Sequence, residues 1–154
     1  MKKFQFSLDH VRGYRDRLLD EETGKLQRLQ AERDRLEQQI NQLKTDFTQV
    51  SEEMRKAQAE GITALEQRGF SMQLESIRMQ VRELTEQLEA DNVRVEQQTR
   101  VVVAANKEVS KLDKLRDRQY EDWQDGLRQA EEEGVEATGT KGTISETAGR
   151  HGHG

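Results

Sequence analysis

Apolar residues recur at seven-residue intervals through the second half of the chain. One row consists of Leu74, Val81, Leu88, Val95, Val102, Val109, Arg116 and Trp123, and its companion row of Ile77, Leu84, Asp91, Gln98, Ala105, Leu112 and Gln119. Two rows at this spacing form one narrow stripe along a helix, which is the signature of a coiled-coil seam. The pattern predicts a helix over residues 72–132.

The first half of the chain carries two further rows with the same interval. One consists of Leu8, Arg15, Glu22, Leu29, Leu36, Leu43, Val50 and Ala57, and the other of Arg12, Leu19, Leu26, Arg33, Ile40, Phe47 and Met54. They predict a helix over residues 5–58.

The repeat is interrupted over residues 59–71, where Gly61 and Gly69 are found. A turn there would let the second helix fold back on the first as an antiparallel coiled-coil hairpin. The seam rows then match when the numbers of facing residues total 131, as for Leu29 and Val102. The pairing predicts a long two-helix hairpin over residues 1–132.

Composition supports an all-α fold with little core. Charged residues make up 36% of the chain and hydrophobic residues 32%, and there is neither proline nor cysteine. Uninterrupted helices and the absence of disulfides follow, which suits the cytoplasm. No apolar run predicts a membrane-spanning helix or a signal peptide. Residues 133–154 are rich in Gly, Thr and Ser and predict a disordered tail.

Neither catalysis nor a cofactor is expected of such a chain. His10, His151 and His153 are remote from any plausible nucleophile, and a two-helix hairpin offers no substrate pocket. The terminal histidines could chelate a transition metal weakly, but a disordered tail is the favoured interpretation, so no metal site is predicted. The net charge of −5 argues against nucleic acid as the main partner.

Charged residues in the seam give the first candidate binding site. The predicted register brings Arg12, Arg15 and Arg116 together at the open end, with Lys111 and Arg118 nearby. One interpretation is that the arginines reach out of the seam to carboxylates such as Asp16, Glu22 or Asp113. The other is that they await an acidic partner.

Aromatic side chains concentrate at the same end, namely Phe4, Phe6, Tyr14, Tyr120 and Trp123. They either close the end of the seam or anchor a partner.

Near the turn, Ile62, Leu65 and Phe70 are apolar side chains that the coil does not need. They predict a second contact surface, because an exposed ring there is a natural point of attachment.

Three segments resemble the flagellar export protein FliJ family. The aromatic and aliphatic start of the first helix, residues 4–12, is one. The Gly61-Ile62 step followed by Phe70 is another, and the basic segment Lys111 to Tyr120 is the third. The likeness extends over roughly residues 1–130. The Gly- and Thr-rich tail departs from the helical, charged end typical of the family.

The resemblance implies a non-enzymatic part of the flagellar type III export apparatus. It implies a cytoplasmic protein, peripheral to the inner face of the cell membrane at the flagellar base. Members look like the central stalk of rotary ATPases. The implied partners are the hexameric export ATPase FliI, which the protein would stimulate, the export gate protein FlhA, and export chaperones of late substrates. The ATPase regulator FliH is a further candidate.

The resemblance also assigns the two groups of side chains. The ATPase end consists of Arg12, Arg15, Lys111, Arg116, Arg118, Tyr120 and Trp123, and the gate end of Ile62, Leu65 and Phe70. Two other classes stay open. One is a structural coiled coil or the stalk protein of an injectisome, and the other is a hairpin arm that grips substrates as a chaperone does.

Overall fold

Two helices account for the fold. The computed structural model describes residues 3–153, with side chains over residues 3–135. Helix α1 spans Asp9–Glu60 and helix α2 spans Ala64–His153. No strand occurs among the described residues, so the predicted all-α class is confirmed. Within that part of the chain no helix is long and apolar enough to cross a bilayer.

Helix α1 begins later than predicted, at residue 9 and not residue 5. The amide of Asp9 donates to the carbonyl of Phe6 at 3.1 Å, which forms a turn ahead of the helix. Asp9 also places a carboxylate in the first helical turn, where the helix dipole favours negative charge. Residues 3–6 precede the helix without regular secondary structure, and Phe6 among them is buried.

The turn is much shorter than the predicted 59–71 and contains only residues 61–63. Gly61 has φ of +94°, a left-handed conformation in which glycine commonly ends a helix. The hydroxyl of Thr63 then accepts a hydrogen bond from the amide of Glu66 at 3.1 Å and caps α2. Gly69, which was expected in the turn, lies inside α2, so the predicted start at residue 72 is wrong.

The chain forms two compact units, and each helix contributes to both. Unit 1 consists of Met1–Asp16 with Lys107–Gly154, and unit 2 consists of Arg17–Asn106. The tail expected to be disordered, residues 133–154, belongs mostly to the part of the chain whose side chains are outside the described range. Its disorder, and the metal chelation considered for His151 and His153, stay untested.

Unit 2 is an antiparallel helix pair with a narrow apolar seam. Leu36 is 2% exposed, and it is the most deeply buried of the large side chains. The other buried apolar residues of this unit are Ile40, Val50, Ile77 and Val95. All five were predicted seam positions, so the heptad repeat identified the buried face correctly.

The register of unit 2 differs from the predicted one. The guanidinium of Arg78 lies 5.2 Å from the ring centroid of Phe47, and Gln58 donates to Gln67 at 2.8 Å. The residue numbers in each pair total 125, well short of 131. The seam rows of the two helices face each other again when the numbers of facing residues total 124. Relative to the predicted register, the helices are therefore displaced by one heptad. The short turn is the cause, because it returns the chain seven residues sooner.

A buried carboxylate agrees with this displaced register. Asp91 is 6% exposed and accepts a hydrogen bond from Arg94 at 3.1 Å. The predicted register would set Asp91 against Ile40, which is buried and apolar. The observed register sets it against Arg33 instead. A buried charge opposite an aliphatic side chain is costly, so Asp91 disfavours a slip of one heptad.

Candidate protein-binding surfaces

Three aromatic side chains of unit 1 form a cluster between its N-terminal segment and α2. Phe4 meets Tyr120 edge to face with centroids 5.2 Å apart, and meets Trp123 at 5.8 Å. Tyr120 stacks on Trp123 at 5.8 Å with an interplanar angle of 26°. Such pairs stabilise beyond the area that they bury. The rings therefore close this end of the helix pair, as one of the two interpretations predicted, while Tyr120 stays 42% exposed.

Arg12 is bound within the molecule. Its Nε donates to the carboxylate of Asp113, and both side chains are part-buried. This hydrogen bond, with the charge of Asp113, raises the pKa of Arg12 above its ordinary value, and the charges of Asp16 and Asp9 add to the effect. Arg12 therefore follows the first of the two interpretations, in which a seam arginine reaches a carboxylate such as Asp113.

The other cations predicted for the ATPase end fall into two groups. Lys111 lies 3.3 Å from Glu108 in an exposed ion pair, which contributes little to stability. Arg15, Arg116 and Arg118 have no ion-pair partner among residues 3–135. Arg116 and Arg118 are exposed, whereas Arg15 is half-buried.

Arg116 borders a shallow groove of unit 1 with a volume of about 430 Å³, which Phe4, Phe6, Asp9 and His10 also line. Arg116 is thus close to an acidic residue of α1. The predicted cluster of three facing arginines does not form, because the helices are displaced from the predicted register and the charge of Arg12 is compensated by Asp113. Of the unpaired cations at this end, Arg116 and Arg118 are exposed and Arg15 is half-buried.

The three predicted residues near the turn differ in exposure. Leu65 is 77% exposed, whereas Ile62 and Phe70 are half-buried. Of the three residues, Leu65 therefore offers the most contact surface. The side chains of Ile62 and Phe70 are partly covered near the turn.

Two methionines, which the sequence reasoning missed, extend the surface of Leu65. Met72 is 66% exposed and Met79 is 54% exposed. With Leu65 they recur every seven residues on α2, at positions outside the seam, and together we call them the outer stripe. The same heptad count that located the seam would have found it, had it been applied to exposed positions. Flexible methionine side chains suit adaptable protein contacts.

The described residues hold no group of histidine and carboxylate side chains able to bind a metal ion. The grooves that they form are open clefts along the helix pair, and both surfaces above consist of aromatic, aliphatic and cationic side chains. This chemistry is that of protein recognition.

Comparison with known proteins gives one result that covers most of the chain. The family model described as flagellar FliJ protein matches residues 4–134. No curated protein and no solved structure matches the chain. The matched range contains both units' helix pairs, the aromatic cluster and the outer stripe.

Proposed function

Since the chain belongs to the flagellar FliJ family, a component of the flagellar type III export apparatus, we propose that it acts there as a non-enzymatic, stalk-like coiled coil. In this role it binds the hexameric export ATPase FliI and stimulates it, and it contacts the export gate protein FlhA. Export chaperones of late substrates, and the regulator FliH, are further proposed partners. It would work in the cytoplasm, peripheral to the inner face of the membrane at the flagellar base.

The observation that carries the ATPase contact is the exposed charge of unit 1. Arg116 and Arg118 are exposed and have no acidic partner within residues 3–135, and Tyr120 beside them keeps an open aromatic face. Arginine donates in a planar fork that suits carboxylates, and tyrosine adds apolar contact area. Acidic loops of an ATPase ring would supply the complementary charge.

The contact is tested by charge reversal. Arg116→Glu with Arg118→Glu should reduce stimulation of purified export ATPase by about tenfold or more, since charge complementarity governs such encounters. Wild-type stimulation should fall as salt rises, because exposed charges are screened. Arg55→Glu with Lys56→Glu is the matched control, as both residues are exposed, adjacent and in unit 2. Equal loss in the control pair would refute a specific role for unit 1.

The outer stripe is the proposed contact with the export gate. Leu65, Met72 and Met79 are each more than half exposed, so they are available without any rearrangement of unit 2. Together with the half-buried Ile62 and Phe70, they give an apolar face next to the turn. Such a contiguous exposed apolar face marks an interaction site more often than chance.

Replacing all three stripe residues by Gln tests this contact while keeping helix propensity high. We expect the affinity for the purified cytoplasmic domain of the export gate to drop by about tenfold or more, as for loss of interface anchors. The control replaces Val93, Val101 and Val103, also exposed residues of α2, by Gln. Unchanged gate binding in the stripe variant would show that the gate contacts another surface.

A further inference from the structure

Unit 2 contains a groove with an apolar floor and a basic rim. It lies between α1 and α2, has a volume of about 610 Å³, and is open to solvent. The floor is formed by Phe47, Ile77 and Val81, and the rim by Lys44, Arg78 and Arg82. We call it the basic groove.

The floor offers a partner a limited apolar contact. Ile77 is 8% exposed, while Phe47 and Val81 are half-buried. The guanidinium of Arg78 lies over the Phe47 ring, 5.2 Å from its centroid. An arginine in this position shields the ring from water. Its guanidinium can also leave the ring and pair with a carboxylate of a partner. Release of Arg78 would uncover the aromatic face.

The rim is short of negative charge. Lys44 and Arg82 have no ion-pair partner among the described side chains. Arg78 is 3.9 Å from Glu75, but both side chains are more than 60% exposed, so this pair is weak. Three cations therefore surround one apolar floor with little compensation inside the unit.

The other flank of the same seam has the opposite character. Its groove is bordered by Asp46 and Glu53, with Gln49, Gln73 and Gln80 between them, and no cation lines it. Both grooves share Ile77, so they differ in charge while the seam beneath them is the same. A partner attracted by charge would distinguish the two flanks.

We propose that the basic groove binds an acidic amphipathic helix of a partner protein. Apolar side chains of that helix would cover Phe47 and Val81, and its carboxylates would pair with Lys44, Arg78 and Arg82. A helix laid along a groove in this way uses anchors at i, i+3 and i+4. This surface is additional to the ATPase and gate contacts proposed above and depends on neither.

The test uses a fluorescein-labelled peptide of about 18 residues, long enough for helix formation, with Leu on one face and Glu on the other. Fluorescence anisotropy should show that it binds the full-length protein. Lys44→Glu with Arg82→Glu should weaken binding about tenfold or more, because attraction becomes repulsion. Circular dichroism should show unchanged helicity, since both side chains point to solvent at the rim.

Three controls decide the matter. Arg28→Glu with Arg68→Glu changes two exposed cations elsewhere in unit 2 and should leave peptide binding intact. A peptide of the same composition with Leu and Glu in scrambled order should bind at least severalfold more weakly, because it lacks the apolar face. Vesicles of anionic phospholipid and a single-stranded oligonucleotide should not bind in a manner that depends on Lys44 and Arg82.

Some results would overturn the proposal. These are no binding of the amphipathic peptide, equal loss with the control pair, or equal binding of the scrambled peptide. Binding of vesicles or the oligonucleotide that the Lys44 and Arg82 substitutions abolish would assign the groove to a general polyanion instead.

Discussion

The two units are built from the same two helices but are held by different forces. Unit 2 buries five aliphatic side chains in its seam, with Asp91 as the polar exception. In unit 1, Phe6 and Val109 are the buried apolar side chains among the described residues. The aromatic cluster and the Arg12 to Asp113 ion pair add further contacts in this unit. Aliphatic burial contributes free energy in proportion to area, whereas an exposed ion pair contributes little.

The contrast has a functional meaning under the proposed function. A unit with a continuous seam can keep its geometry under load, while a unit held by a few ring and charge contacts opens at lower cost. The exposed side chains proposed to contact the ATPase lie in unit 1, the unit of the second kind.

The largest effect is expected from crosslinking, because it is all or none. In the observed register Leu29→Cys with Val95→Cys should form a disulfide within one molecule. Leu29→Cys with Val102→Cys should not, since seven residues displace the thiols by about 10 Å along the helix, beyond disulfide reach. Non-reducing electrophoresis and mass spectrometry report the bond. Crosslinking through Val102 alone would restore the register that the sequence predicted.

Truncation of a seam residue should cost unit 2 more than unit 1. Leu36→Ala removes a side chain that is 2% exposed, so unfolding in urea should lose about 2–4 kcal/mol. Val109→Ala in unit 1, where the side chain is 7% exposed, should lose about 1–2 kcal/mol, since only two methyl groups are removed. Equal losses would mean that Leu36 is no more tightly packed than Val109.

Removal of a ring should loosen unit 1 locally. Phe4→Ala deletes two of the three aromatic contacts and should cost about 1 kcal/mol, in the range for such pairs. The expected result is several times faster amide hydrogen exchange near Tyr120 and Trp123, with exchange in unit 2 unchanged. Tyr14→Ala is the control, because Tyr14 is 57% exposed and in no described ring pair. Faster exchange in both variants would count against a local stabilisation of unit 1 by the aromatic cluster.

The smallest effect concerns acid. Gln98 donates to both the carbonyl and the carboxylate of Glu22, at 2.9 Å and 2.6 Å. The hydrogen bond from Gln98, followed by that from Lys25, holds the pKa of Glu22 below its ordinary value of 4.5. A depressed carboxyl pKa stabilises the folded state above 4.5, and this contribution is lost as the pH falls through the lower folded value.

Carbon-detected NMR titration of the Glu22 carboxyl group tests this contact. Gln98→Ala should move its pKa back towards 4.5, and the pH dependence of stability just below that value should shrink. Glu32 is the control, because the hydrogen bond from Arg35 that lowers its pKa does not involve Gln98 and should be the same in both proteins. An unmoved Glu22 titration would show that Gln98 does not bind the carboxylate in solution.

The heptad repeat predicted the helices and the buried rows, but it could not fix the register. A repeat of seven returns the same rows after every shift of seven, so Leu29 fits Val102 and Val95 equally well. Only features other than the seven-residue spacing decide, and these are the cap at Thr63 and the polar character of Asp91 within its row. The pattern Thr63-x-x-Glu66 is a known helix-start signal that shortens the turn. Read from the sequence, it would have given the observed pairing.

The candidate surfaces were predicted with mixed success for a related reason. Three of the aromatic residues near the open end, Phe4, Tyr120 and Trp123, do meet. Tyr14 is exposed and in no described ring pair. The arginine cluster failed, because a displacement of one heptad sets Arg12 beside Asp113. The outer stripe and the basic groove depend on which faces stay uncovered, and that follows from the packed helices, not from either helix by itself.

The aromatic cluster also makes the protein its own optical probe. Trp123 is the sole tryptophan of the 154 residues, and one of only two tyrosines stacks on it. Excitation energy absorbed by Tyr120 can therefore be transferred to the indole of Trp123 at very short range. The emission wavelength depends on how exposed that one indole is to solvent. Docking of a partner against this end would change the emission spectrum with no dye attached. Events confined to unit 2 would leave the spectrum unchanged.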